Sequence, residues 1–311
     1  MLGGAAVEFR ILGPLEVLDG QRRVELGRPK QRALLAVLLV HANQVVALDR
    51  LIEELWGEQP PAQATASLQA YISNLRRALE PGRPARTPPR VLVTQPPGYR
   101  LVVAPSELDA ARFVALAEQG HRLLEGERPG PAAQALREAL GLWRGPALAD
   151  LADEPFAQAE RQRLEELRLV ALEDRLAAEL ALGRHAAAAA ELQELVDRHP
   201  FRERLWGLLM LALYRSGRQA EALGAFQSAR RVLGEELGID PIPWLRELQA
   251  DILRQASTLD WTPPVQVGQP TESVAAEPPT AGQAVPLPSA GDGELVGRDE
   301  QLAALDRKSV V

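Results

Sequence analysis

Two stretches of the chain, LALGRHAAAAAELQELV and LYRSGRQAEALGAFQSA, align at a shift of 34 residues. Gly183 then matches Gly217, Arg184 matches Arg218, and Ala186 and Ala188 match Ala220 and Ala222. A 34-residue period is that of the tetratricopeptide repeat, a pair of packed helices that buries its apolar face only by stacking on its neighbours. The alanines are expected to let the helices approach closely, with Leu192 and Phe226 filling equivalent core positions. Helical periodicity runs from Leu108 to about Gln255, and 109–125, 130–143 and 155–182 are expected to supply the other helices of the stack.

The first hundred residues read differently. Val7, Phe9 and Ile11 alternate with charged neighbours, and Asp19-Gly20 is a hairpin turn signal. RPKQRALLAVLLVHA predicts a helix with Pro29 at its first position, and VVALDRLIEELWG a short strand and a second helix ending at Gly57. Ala47 stands there where Ser, Thr, Asp or Asn would cap better. Pro60-Pro61 forces a break before a third helix over roughly 62–80. RVLVTQPPGYRLVV then reads as two strands about a Pro97-Gly98 turn. Strands, three helices and a terminal hairpin are the order of a winged helix. The expected fold is an α+β winged helix-turn-helix followed by an all-α, tetratricopeptide-like repeat domain.

Charge separates the same regions. The net charge of −7 hides +4 over residues 1–105, −6 over 106–255 and −5 over 256–311. Gln59 to Val103 holds six arginines and one acid, so positive charge is concentrated where a polyanion would use it. The predicted third helix places Leu68, Ile72, Leu75 and Leu79 on one stripe. Opposite lie Ala70, Ser73, Asn74 and Arg77, with Gln69 and Arg76 on the flanks. In a winged helix the outward residues of that helix reach base edges. Asn74 suits adenine, and Arg76 or Arg77 suits guanine or phosphate. Arg28, Lys30 and Arg32 carry the wrong sign for the start of the first helix. A bound phosphate would relieve that conflict; three solvated cations are the alternative.

These segments together resemble a known family. GRPKQRALLAVLL, LDRLIEELWG, SLQAYISNLRRAL and LVTQPPGYRL look like the OmpR-type winged helix of the Streptomyces antibiotic regulatory protein family, through all of residues 7–103. LWRGPALADLADEPFAQAE and LMLALYRSGRQAEALGAFQSARRVLGEELGIDP resemble the bacterial transcriptional activator domain that follows it. The resemblance implies a transcriptional activator that binds direct repeats in double-stranded promoter DNA, two copies side by side, and recruits RNA polymerase holoenzyme. It implies secondary-metabolite genes as targets. Carried onto this chain, the recognition helix would present Gln63, Ser67, Gln69, Ala70, Ser73, Asn74, Arg76 and Arg77. Backbone and wing contacts would come from Arg28, Lys30, Arg32, Thr94, Gln95, Tyr99 and Arg100. Gln95 departs from the family's pattern, in which the wing often has arginine.

Other chemistry is poorly supported. There is no cysteine, and His41, His121, His185 and His199 are scattered, so no metal cluster emerges. His199, before Pro200, is expected at a helix end. Asp150, Asp153 and Glu154 are expected to form a solvated loop capping a helix that begins near Pro155. No cofactor and no enzymatic activity are expected. The longest apolar run, Ala33 to Val40, is too short for a bilayer, and a cytoplasmic, nucleoid-associated protein is expected. The domains read as 1–105 DNA-binding, 106–256 helical, 257–294 a proline-rich linker, and 295–311 a stub. That stub, ELVGRDEQLAAL, resembles the opening of a nucleotide-binding domain cut short. No Gly-Lys-Ser/Thr phosphate loop accompanies it, so no ATP hydrolysis is expected. The competing reading is a repeat scaffold whose winged helix contacts protein rather than DNA.

Overall fold

The computed structural model describes residues 7–84 and 86–263. The chain enters through a three-stranded antiparallel sheet, β1 (Val7–Arg10), β2 (Glu16–Asp19) and β3 (Arg22–Arg23), turning at Asp19-Gly20 between the last two. Then come α1 (Pro29–Val40), β4 (Val45–Ala47), α2 (Leu48–Trp56) and α3 (Ala64–Leu79). β5 (Leu92–Gln95) and β6 (Gly98–Leu101) form the wing, and β4 joins it in the order β4-β6-β5. As expected, Ala47 gives α2 no side-chain cap.

The wing corrects one expectation. Gly98 is not in the turn, which falls at Pro96-Pro97, but is the first residue of β6, paired with Ala47. A Cβ there would stand 1.8 Å from the Val46 carbonyl oxygen. Glycine is required because the β4 backbone passes against it.

Among the described residues seven α-helices follow: α4 (Asp109–Glu125), α5 (Pro129–Gly141), α6 (Pro155–Ala181), α7 (His185–Arg198), α8 (Glu203–Arg215), α9 (Gln219–Val232) and α10 (Pro243–Arg254). The repeat is visible in backbone detail. Gly183 and Gly217 both have positive φ, 82° and 75°. After each, the next N–H reaches back to a carbonyl five residues earlier, Arg184 to Glu179 and Arg218 to Leu213. Both helices thus end by the same left-handed glycine device. Ala188 and Ala222, and Leu192 and Phe226, are buried at equivalent positions. Ala186 and Ala220 are instead exposed, so of the two matched alanine pairs only the second lies in the packing. His199 caps the end of α7.

The core does not divide at residue 105. Leu34, Leu38, Leu68 and Ile72 of the winged helix share one apolar cluster with Phe113, Leu136, Leu148 and Leu164. A second cluster holds Leu176, Leu192, Trp206, Phe226 and Ile252. The 27-residue α6 feeds both, with Leu164 and Ala171 in the first and Leu176 and Leu180 in the second. The expected linker start also differs. Ser257–Leu259 forms a short 3-10 turn, and the Trp261 indole N–H donates to the Ala181 carbonyl at 2.9 Å. Its ring fills the space that a Cβ at Gly183 would need. The remainder of the expected linker and the 295–311 stub lie outside the described residues.

Polar groups fix the first sheet on the helices. Asp109, only 2% exposed, accepts the backbone N–H groups of Ile11 at 2.8 Å, Leu12 at 3.0 Å and Ala110 at 2.7 Å. In return Arg144 N–H donates to the Leu12 carbonyl and Leu148 N–H to that of Ile11. Asp109→Ala would leave these buried donors unsatisfied, at about 1–3 kcal/mol for each one stranded. Urea unfolding should show a loss of at least about 3 kcal/mol; a loss below about 1 kcal/mol would mean the junction relaxes around the vacancy.

Candidate nucleic-acid interface

α3 buries Ala64, Leu68, Ile72, Leu75 and Leu79. Its Tyr71 stacks on Trp56 of α2, ring centroids 6.4 Å apart. With that side fixed, Gln63, Gln69, Ala70, Ser73, Asn74 and Arg77 are left exposed, and Ser67 and Arg76 are half-buried. Small residues in the middle of this face keep it low, and no carboxylate interrupts it. Asn74 makes a single long contact of 3.4 Å to the amide of buried Gln31 on α1, so the rest of its amide is available. Gln31 was not legible as part of this neighbourhood, because it belongs to another helix.

Arg76 is turned toward the wing. Its Nε donates to the Leu92 carbonyl at 2.8 Å, a terminal nitrogen donates to Thr94 Oγ1 at 2.7 Å, and the guanidinium lies 5.8 Å from the Tyr99 ring centre. Desolvation pulls its pKa below the usual arginine value. The residue ties α3 to the wing and sets the angle between them. Heptad-like spacing shows which flank Arg76 occupies, but not that β5 runs alongside. Thr94 remains exposed at the residue level, while Gln95, Tyr99 and Arg100 are half-buried along the wing. Arg77, in contrast, has no ion pair among the described residues.

The three cations at the start of α1 are not alike. Arg28 is exposed, but Lys30 lies 3.1 and 3.2 Å from the two carboxylate oxygens of Glu154. Arg32 pairs with Asp150 and donates to the Leu15 carbonyl at 2.9 Å. Asp150 also accepts the Leu15 N–H at 2.7 Å. Lys30 and Arg32 at this helix start are thus each matched by a protein carboxylate. In the acidic loop Asp153 is exposed as expected, whereas Asp150 and Glu154 are paired, and Glu154, the residue before α6, makes no side-chain cap to it. Lys30 and Arg32 therefore belong to the junction with the helical region.

Sequence reading passed over the segment between α3 and β5, where Arg86 and Arg90 are exposed. The concentration of arginine in 59–103 was the available signal. Among the described residues no group of three or more His, Asp or Glu side chains is arranged to hold a metal ion, and no helix is long and apolar enough to cross a membrane.

Comparison with known proteins agrees with this architecture. Residues 21–101 match the family model described as transcriptional regulatory protein, C terminal, and residues 108–253 that of the bacterial transcriptional activator domain. Regulatory protein DnrI of Streptomyces peucetius is 41% identical over 257 residues, covering 82% of this chain and 94% of DnrI. The chain is a member of the Streptomyces antibiotic regulatory protein family. Regulatory protein AfsR of Streptomyces coelicolor is 45% identical over 80% of this chain, which spans only 24% of AfsR. Transcriptional regulatory protein EmbR of Mycobacterium tuberculosis is 43% identical over 82% of this chain, which spans 66% of EmbR. The EmbR structure, solved in complex with a low-affinity phosphopeptide, superposes with a TM-score of 0.76 over 80% of this chain and 65% of that one. These relatives are transcriptional regulators, and the winged helix is of the OmpR type.

The junction makes unequal demands on its two acids. Asp150→Ala removes a charged partner from both Arg32 and a backbone N–H, and should cost about 1.5–3 kcal/mol in urea unfolding. Glu154→Ala breaks one half-exposed ion pair and should cost about 0.2–1 kcal/mol. Equal losses would show that the loop is held by charge alone.

Proposed function

We propose that this protein is a sequence-specific transcriptional activator whose α3 reads the major groove of promoter DNA while the β5–β6 wing holds the adjacent backbone. The observation that carries the reading is the exposed, carboxylate-free face of α3, locked to the wing by Arg76. A helix held at a fixed angle to a hairpin presents base-reading and phosphate-holding groups in one geometry. Gln69, Ser73, Asn74 and Arg77 would face base edges, with Gln63 and Ser67 near the start of the helix and Ala70 admitting close approach. Thr94, Gln95, Tyr99 and Arg100 would lie along the backbone, and Arg28 is the one cation at the α1 start left for phosphate.

Residues 1–105 would form the DNA-binding part and 106–256 the effector part. Two copies on direct repeats would then bring RNA polymerase holoenzyme to the promoters of secondary-metabolite genes, in the cytoplasm at the nucleoid. A groove of about 850 Å³ between α7, α8 and α9, lined by Ala186, Ala189, Gly224 and Ala225, supports a protein-contacting role for the repeats. Likeness to transcriptional regulators supports a non-enzymatic role.

Bound sequences selected from random DNA would give the operator, and enrichment of a tandem motif is the expected result. On that operator Arg77→Ala should lose about 1–3 kcal/mol of binding and relax specificity at one position. Arg76→Ala should weaken operator and unrelated DNA alike, because it frees the wing rather than a base contact. Measured by fluorescence anisotropy, unchanged affinity for Arg77→Ala would take α3 out of the groove. No selection at low salt would leave the winged helix a protein-binding module.

A further inference from the structure

The segment joining α3 to β5 is long for a turn and has an unusual charge arrangement. From Glu80 to Arg90 it contains four prolines, three arginines and one acid. That acid faces inward: the Glu80 side chain is 13% exposed, one oxygen accepts the Arg90 N–H at 2.9 Å, and the other lies 3.7 Å from the Arg83 guanidinium. Arg83 in turn donates to the Thr87 carbonyl. Glu80 and Arg83 thus brace the segment from within. Arg86 and Arg90 are exposed and have no ion pair among the described residues. The outer surface of the segment is cationic because its one carboxylate is turned away.

Its position matters as much as its charge. The segment leaves α3 just beyond Arg77 and enters β5, the strand to which Arg76 ties the same helix. The segment therefore adjoins both elements that the DNA-binding reading uses, the end of α3 and the first strand of the wing. Prolines restrict the free chain, so holding the two guanidiniums against a ligand would forfeit little backbone freedom.

We infer that the α3–β5 segment is a further phosphate-binding element, in which Arg86 and Arg90 hold the DNA backbone outside the groove read by α3. This rests on the DNA-binding reading above. The element adds affinity without sequence discrimination, since guanidiniums on phosphate carry no base information.

The test uses the full chain, the selected operator and an unrelated duplex of equal length, titrated by anisotropy over a range of salt concentrations. Two phosphate contacts contribute about 1.8 to the slope of log K against log salt. Arg86→Ala with Arg90→Ala should flatten the slope by about that amount and weaken both duplexes in the same proportion. Arg86→Lys with Arg90→Lys should restore the slope, because each position needs charge rather than a fork. An unchanged slope in the double alanine variant, with Arg77→Ala still losing discrimination, would overturn this element and leave the DNA reading standing. Loss of discrimination without a slope change would also overturn it, by making the segment a base reader. Failure of the wild-type chain to bind either duplex would remove both.

Discussion

A single buried carboxylate organises the junction on which the described fold depends. Asp109 sits at the start of α4 and takes up the backbone N–H groups of Ile11 and Leu12, just where β1 ends and the chain bends toward β2. A strand leaving a sheet has donors with nowhere to go, and a buried donor without a partner is costly. Here the helical region supplies the acceptors, first from Asp109 and then from Asp150. The return bonds from Arg144 and Leu148 make the exchange mutual. The amino-terminal sheet is therefore completed by residues a hundred positions away, and the apolar cluster that joins Leu34 and Ile72 to Phe113 and Leu164 forms behind it.

This junction explains how Lys30 and Arg32 at the start of α1 find carboxylates within the chain while Arg28 stays exposed. Lys30 and Arg32 face the same acidic loop that holds Leu15, and a helix start surrounded by cations is stabilised by any nearby anion. Protein carboxylates already at hand need no association from solution. The other cations left facing outward lie elsewhere, on α3, the wing and the connection between them. Burial of Glu80 and pairing of Arg76 with the wing sort the arginines of this region into braces and free charges, a distinction that total charge does not contain.

What could be read from sequence follows the range of the interactions. The repeat was legible because each helix pair carries its own signature, glycine at the left-handed end and alanine in the packing. The winged helix was legible from the order of periodic segments and their turn residues. The apolar stripe of α3 also fixed which residues face out. The bonds of Arg76 to Leu92 and Thr94 were not legible, because these partners come from a strand whose path periodicity does not give. Asp150 and Glu154 looked like ordinary loop acids for the same reason: their partners are Arg32 and Lys30, more than a hundred residues earlier. Gly98 was given to the turn because glycine after proline usually belongs there, whereas the close passage of Val46 is a tertiary fact.

α6 carries a consequence of its own. One continuous helix contributes Leu164 to the core shared with the winged helix and Leu176 to that of the repeats. Every residue added between those two faces would turn one against the other by about 100° and lengthen the helix by about 1.5 Å. The helix is thus a phase-locked spacer. Within this architecture, change in the distance between the two cores is confined to near-whole numbers of turns.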